Sequence, residues 1–443
     1  MNTLILRKIE VSRNLLKVDF DCTGQIRKFF SKNQFYAEYS TSIEGTPEAI
    51  LVIPFLATIC PIAWAIGAEV HVQTVDEIFV HSLENIKKVF QKFYPRMRFS
   101  GRICAENLVK PPAIAHPGAM TLFSGGVDSI ATYIRHQTEN PIIVSIHGAD
   151  IDLVNTEAWS IAIEYVAAFS RRTGSELRVI RSNFRSILEK LMLSSYSADL
   201  GGDWWTRIMH GLALLGLCAP LTHTDKIGKL YIAASWYEGF QRPWGSHPEI
   251  DNKVRWTGTT VTHDGYELSR QEKIEIIAQY IMNNGPQLRI RSCLDPRKGE
   301  NCSRCEKCSR TIIGLELAGI NPNEHGFTVE SDTFLSIKSN LLGGEWNFDD
   351  GEKYVWGDLR KHANHNRNLP HPQAALLVNW LLDVNWNNIK SRQRRRTISM
   401  LWKILAPVLK YTPYELYRIL RKTYNVLEIP LNRVIFQHAR KNR

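Results

Sequence analysis

The chain has 443 residues, 44% of them apolar and 22% charged. That is globular composition with room for two or three domains, and it excludes a disordered, collagen-like or disulfide-scaffold chain. The formal charge of +11 sits in one place: residues 390–443 hold 14 of the 55 Lys and Arg but only Glu415 and Glu428 of the 44 acids, which leaves 41 basic and 42 acidic groups in the other 389 residues.

Met1 to Lys8 show no long apolar run behind a basic start, so no signal peptide is read. Residues 1–115 are expected to form an N-terminal α/β domain. Leu15 to Phe20 alternate like a half-buried strand, and Val75 to Phe93 carry helical spacing of apolar residues. Ala49 to Ala68 are twenty residues without a charge, long enough to span hydrocarbon. Pro54 and Pro61 would break the backbone ladder there, and the flanks, Glu48 and Glu69, lack Lys or Arg. The stretch is therefore expected to be a buried strand plus helix, with no transmembrane segment. Lys110-Pro111-Pro112-Ala113 reads as a stiff connector.

From Met120 strands and helices alternate. Strands are expected at Met120 to Phe123, Pro141 to Ile146, Glu176 to Ile180 and Lys229 to Ala234, with helices at Ile130 to His136, Trp159 to Arg171 and Trp204 to Ala219. This alternation predicts a parallel sheet covered by helices on both faces, with ligands at the carboxyl ends of its strands. Beyond about residue 325 the pattern turns loop-rich, with Gly343-Gly344 and many Asn and His. Basic helices follow, with Trp380, Trp402, Leu405 and Leu409 on their apolar faces, so residues 326–443 are expected to form a basic, mostly helical extension.

Ser124-Gly125-Gly126-Val127-Asp128-Ser129 joins the first of these strands to its helix. Two glycines let the backbone turn tightly and aim several N–H groups at one point, and the helix start adds orphan amides and the positive end of its dipole. Ser124 and Ser129 can add hydroxyl donors, while Asp128 suits Mg²⁺ or an orienting role. No Lys-Ser or Lys-Thr follows Gly126, so this is not a Walker loop.

Cys293, Cys302, Cys305 and Cys308 form C-x8-C-x2-C-x2-C. Four thiolates in so short a segment can close a tetrahedron at Zn–S distances of roughly 2.3 Å, with no open position, which reads as a structural Zn²⁺ site. Arg297, Lys298, Arg304 and Lys307 would stabilise the thiolates, and an iron–sulfur cluster is the rival. Eight cysteines in all suit a reducing, cytoplasmic compartment.

The hexapeptide resembles the pyrophosphate loop of the ATP pyrophosphatases. Together with the four-cysteine spacing, it is similar to the 7-cyano-7-deazaguanine synthase family over roughly residues 116–320. The resemblance implies a Rossmann-like pyrophosphate-loop (PP-loop) sheet over residues 116–325. It also implies ATP and Mg²⁺ as cofactors, ATP contacts from Ser124 to Ser129, and adenine near Ile146 and His147. The implied reaction converts 7-carboxy-7-deazaguanine to the nitrile with ammonia and ATP, by successive adenylation and dehydration steps. Where the family has a Gly-Tyr-Pro-Asp-Cys-Arg segment, this chain has Ser235 to Gly239 and then Trp244 to Asp251. An Arg-Asn pair of the family's middle helix is His210-Gly211 here. His247 and Asp251 could hold a base-like ligand or serve acid–base chemistry, and His210 is either a core residue or a catalytic one.

The added N-terminal and C-terminal parts make the chain similar to longer synthase-like components of bacterial anti-phage systems (the Qat and deazaguanine-linked cyclic-nucleotide systems). For these the resemblance implies a protein amine as acceptor. Ordinary synthesis of the queuosine precursor remains the alternative. Two other readings stay open: tRNA thiolation, which would need a reactive sulfur among Cys22, Cys60, Cys104 and Cys218, and a catalytically silent nucleotide-binding protein. In the tail, Lys390 to Arg396 hold five basic residues in seven, followed by Ile398, Leu401, Leu405, Val408 and Leu409 at amphipathic spacing. A helix docked on the body, a nucleic-acid surface and a membrane-surface helix all fit that pattern.

Overall fold

The computed structural model describes residues 2–110, 116–240, 242–285, 288–293, 295, 299–363, 368–389 and 408–421. Among them eleven strands lie in one sheet: β1 (Thr3–Ser12), β2 (Leu15–Thr23), β3 (Gln34–Tyr39), β4 (Glu69–Asp76), β5 (Arg102–Val109), β6 (Gly118–Leu122), β7 (Ile142–His147), β8 (Leu177–Ser182), β9 (Ile227–Ala233), β10 (Arg255–Trp256) and β11 (Thr259–Asp264). Their order is β10-β11-β9-β6-β7-β8-β3-β2-β1-β4-β5. The five strands β8, β7, β6, β9 and β11 run parallel. The chain leaves β6 in one direction and returns past it to β9, and the crevice at such a reversal is where doubly wound sheets bind ligands.

β3 pairs antiparallel with β8, Ala37 to Tyr39 opposite Ser182 to Ile180, so β1 to β5 prolong the same sheet. Met120, Leu122 and Val144 join one apolar layer with helices Ile53–Ile66, Glu77–Phe93 and His210–Leu217. Phe123 and Ile143 join the other, with helices Val127–Arg135, Thr156–Thr173, Arg270–Asn284 and Glu306–Leu317. Helix His210–Leu217 crosses Ile53–Ile66 closely because Gly216 has no side chain: a Cβ there would lie 2.3 Å from the Ala57 Cβ.

Three expectations change. Ala49 to Ala68 hold no strand: short helix Glu48–Leu51 leads into helix Ile53–Ile66, whose residues Ile53 to Trp64 are all buried. Pro54 falls in the first turn, where no N–H is needed, and Pro61 removes one interior bond of a helix held on all sides by apolar neighbours. Fourteen residues are too few to span a bilayer, and among the described residues no helix is long and apolar enough to cross a membrane. Second, Val75 and Asp76 complete β4, and the next helix starts at Glu77, capped by Asp76 Oδ1 accepting from Phe79 N (2.8 Å). Third, the stretch after 325 expected to be loop-rich holds helices Thr333–Gly343 and Asp350–Ala363, ahead of helix Ala374–Asp383, which carries Trp380 as expected. Phe334, Ile337 and Leu341, then Val355, Trp356 and Leu359, then Leu377, Val378 and Leu381 are buried at three-to-four-residue spacing, enough to hold polar sequences helical against the core.

The connector's Pro111 to Ala113, and tail residues 390–407 and 422–443 with their basic run, lie outside the described residues. Residues 408–421 dock on the body. The Lys28 ammonium donates to the carbonyls of Leu409, Lys410 and Thr412, each at 2.9 Å; Tyr417 enters the core; and Arg421 pairs with Glu189 at 2.5 Å.

Candidate active site and metal centre

β6 ends at Leu122, and the chain turns through Ser124, Gly125 and Gly126 into helix Val127–Arg135. Gly125 takes φ +74°, a left-handed conformation that suits glycine, and its carbonyl accepts from Arg291 N at 2.7 Å. Gly126 caps the helix without a side-chain hydrogen bond, so no cap side chain takes up the first-turn amides. The Ser129 hydroxyl donates to Gly126 O (3.0 Å) and accepts from Ser124 N (3.3 Å), which ties the turn to itself.

Cations crowd this turn. Arg270 and Lys273 come from the first turn of helix Arg270–Asn284, which the Ser269/Glu272 capping box starts. Lys307 comes from helix Glu306–Leu317, and Arg291 from the strip before Cys293. Asp128 Oδ2 accepts from Arg270 Nη1 at 3.0 Å, and Lys273 Nζ lies 3.6 Å from Oδ1 while donating to Ala234 O at 2.6 Å. Burial by itself would raise the Asp128 carboxyl, but Arg270, Lys273 and Lys307 outweigh it and hold Asp128 below the usual carboxylate range. Burial lowers the pKa of Arg270, Lys273, Lys307 and Arg291. Arg270 Nε and Nη2 are buried with no hydrogen-bond partner, and its side chain is only 9% exposed. Buried cations with unused donors beside a glycine turn could hold an anion. The sequence pattern did not single out Arg270, Lys273 or Arg291; the capping-box spacing Ser269-x-x-Glu272 was the signal marking that helix start.

The other candidate residues fall in two groups. Ile146 and His147 end β7; His147 is buried, its ring stacked on Trp159 with centroids 4.5 Å apart, and its Nε2 lacks a partner. His210 follows a π-helical turn, Trp205–Met209, a local widening often found at functional sites. Its Nδ1 is also unpartnered, and burial lowers its pKa although Asp150 and Asp251 oppose the shift. Asp251 is fully buried; Oδ2 accepts from Ser246 Oγ (2.7 Å) and meets His263 Nδ1 at 2.8 Å, while Oδ1 has no partner. Gly211 packs against it, since a Cβ there would sit 2.1 Å from Asp251 Oδ1. His247 Nδ1 accepts from Glu249 N at 3.2 Å, and its ring sits edge-on to Phe93 and Tyr266.

The Sγ atoms of Cys293, Cys302, Cys305 and Cys308 lie within 4.8 Å of one another, with Cys293 and Cys305 4.0 Å apart. Asn301 organises the segment, accepting from Ser292 N and Cys293 N and donating to Ile290 O and Gly326 O. Backbone amides of Asp295 and Cys305 donate to Cys293 Sγ and Cys302 Sγ, both at 3.3 Å. Hydrogen bonding from Cys293 and Cys305 drives the Cys302 thiol strongly toward thiolate. Four sulfurs converging within 4.8 Å of one another can hold a metal such as zinc. The cluster spans the two segments that deliver Arg291 and Lys307 to the glycine turn, so closing it would fix both. Elsewhere Cys60 and Cys218 are fully buried and Cys22 is half-buried; burial pushes all three thiols up, Cys22 to about 12, and they lack the activation a sulfur carrier needs.

Compared with family models, curated proteins and solved structures, the chain matches none of them. What its own geometry defines is a mostly parallel α/β protein with a cation-lined turn at the sheet's reversal point and a four-cysteine cluster beside it.

Proposed function

We propose that the protein is an ATP-dependent C–N ligase forming AMP and pyrophosphate, acting on 7-carboxy-7-deazaguanine as its resemblance to the 7-cyano-7-deazaguanine synthases implies. The observation that carries this reading is Arg270, buried against the glycine turn with two N–H groups unused. A substrate carboxylate oxygen attacks the α-phosphorus, and the bond from that phosphorus to the α–β bridging oxygen breaks. Pyrophosphate, taking the bonding pair, is received by the amides of residues 124–129 with Arg270, Lys273 and Lys307. An amine nitrogen then attacks the acyl carbon, the acyl–phosphate C–O bond breaks, AMP leaves, and one proton is lost. We assign His210, whose pKa burial lowers, to take that proton. Adenine belongs beside Ile146 and His147. Both Asp128 oxygens face Arg270 and Lys273, so of the two roles open to Asp128 we assign orientation. The four cysteines take structural Zn²⁺. A protein amine as acceptor, with a role in anti-phage defence, is the reading that gives the flanking parts a use as docking surfaces.

The test is AMP and pyrophosphate release from ATP with 7-carboxy-7-deazaguanine and either ammonia or an amine-bearing partner protein, with products read by mass spectrometry. An amide or protein adduct is expected, or the nitrile where a second ATP adenylates the amide oxygen, pyrophosphate leaves, and that oxygen departs with AMP as two protons are lost. Arg270→Met should slow pyrophosphate exchange by about 10²-fold or more, the scale of losing one preorganised donor. Nucleotide binding with no AMP formed under any of these conditions would leave a silent nucleotide-binding protein instead.

A further inference from the structure

The far end of the sheet carries chemistry that the nucleotide reading does not use. β4 and β5 pair in parallel with Glu69 opposite Arg102 and His71 opposite Cys104. Side chains two apart on a strand share a face, and neighbouring strands lie about 4.8 Å apart, so Glu69, His71, Arg102 and Cys104 form one square of side chains. The square lies on the face away from the core: Val70 and Val72, which alternate with Glu69 and His71, are the ones buried. Glu69 Oε, a His71 ring nitrogen and Cys104 Sγ lie within 4.8 Å of one another. We propose that Glu69, His71 and Cys104 form a second divalent-metal site, taking Zn²⁺ by its ligand chemistry, with water in the fourth position.

Carboxylate, imidazole and thiolate together make a borderline-soft set that suits Zn²⁺ better than Mg²⁺ or Ca²⁺. Two ligands bound at 2.0–2.2 Å to one tetrahedral ion stand about 3.4 Å apart, and Glu69 Oε2 already lies 3.2 Å from His71 Nε2. Arg102, whose guanidinium also lies beside the Cys104 thiol, leaves that oxygen free, because both of its hydrogen bonds to the carboxylate go to Oε1, from Nε at 3.1 Å and Nη2 at 2.5 Å. It thereby fixes the carboxylate plane in the way outer-shell partners orient metal ligands. His71 is 42% exposed and Glu69 15%, so an ion can enter from solvent and keep a water. Bound there, it would tie β5, the strand at this end of the sheet, to β4.

Zinc counting tests this, since the four-cysteine cluster shares no residue with the trio. Protein equilibrated with excess Zn²⁺ and passed through a desalting column should carry one more equivalent in the wild type than in His71→Ala or Cys104→Ala, while Cys104→His should keep it. Cobalt loading adds a spectroscopic check: the thiolate-to-cobalt band of that extra equivalent should vanish in Cys104→His although the metal remains. Equal metal content in wild type and both alanine variants would overturn the proposal, as would a charge-transfer intensity in Cys104→His equal to that of the wild type, since the four-cysteine cluster alone supplies the rest of the band. The alanine variants should match the wild type in far-ultraviolet circular dichroism, because neither side chain belongs to the core.

Discussion

The two halves of the single sheet are built by different rules. In β6 and β7 nearly every residue is buried, because helices cover both faces. In β1 to β4 burial alternates for much of each strand, and the face opposite the core is left to charged side chains such as Arg7, Asp21 and Glu69. Parallel strands between two helical layers place their carboxyl ends, and the starts of the following helices, around one crevice. The one-sided half has no such crevice and instead presents a flat, registered array. The same hydrogen-bonded scaffold therefore offers a converging site at one end and a planar grid of side chains at the other, and the candidate chemistry follows: buried cations around a turn in the first case, a cross-strand ligand trio in the second.

The sharpest way to break the crevice half alone is through its cysteines. Cys308→Ser should abolish metal binding at the four-cysteine cluster, lower stability by several kcal/mol and lose pyrophosphate exchange, because Lys307 and Arg291 lose their anchor. Metal content and exchange should fall together; exchange that survives demetallation would show that the cluster does not position those cations. A smaller effect is expected where the halves share a core. Gly216→Ala forces its Cβ against Ala57, 2.3 Å away, and should cost about 1–3 kcal/mol in denaturant unfolding. If the halves are one cooperative unit, the transition stays single and simply moves to lower denaturant; two separated transitions would show that they unfold independently.

Legibility followed the same division. The strands from β6 to β9 could be read from short apolar runs alternating with helical periods, and the glycine turn and four cysteines from spacing alone, because both are local patterns. Arg270 and Lys273 lie more than 140 residues from the turn they face, so nothing local tied them to it. The junction of β3 with β8 joins residues some 140 apart and leaves no periodic mark. Glu69, His71 and Cys104 come together only through strand register, which a single sequence does not display. Helices Thr333–Gly343 and Asp350–Ala363 fall where Asn, His and Gly suggest loop, because their burial rests on few apolar residues each, whereas the helix at Trp380 agrees with the expected helical extension. The stretch from Ala49 to Ala68 was misread in part because a helix buried on all sides has no amphipathic period to separate it from a strand.

The smallest expected effect concerns how the one-sided half holds residues 408–421. Burial lowers the Lys28 pKa from an ordinary 10.5 to about 8, so between those values the unfolded chain binds more protons at this position than the folded one does. Stability from this group therefore rises as pH climbs from about 8 toward 10.5 and is flat outside that window. The rise should be modest, because the charged ammonium keeps three carbonyl acceptors that offset part of its desolvation. Lys28→Met removes the titration, so the difference in unfolding midpoint between wild type and variant should narrow or widen with pH only inside that window. It should move in the direction that favours the wild type as pH rises. A difference independent of pH from 7 to 11 would mean that the ammonium sits in the fold as comfortably as in water, and that the carbonyl cage, rather than burial, governs how this half grips the C-terminal segment.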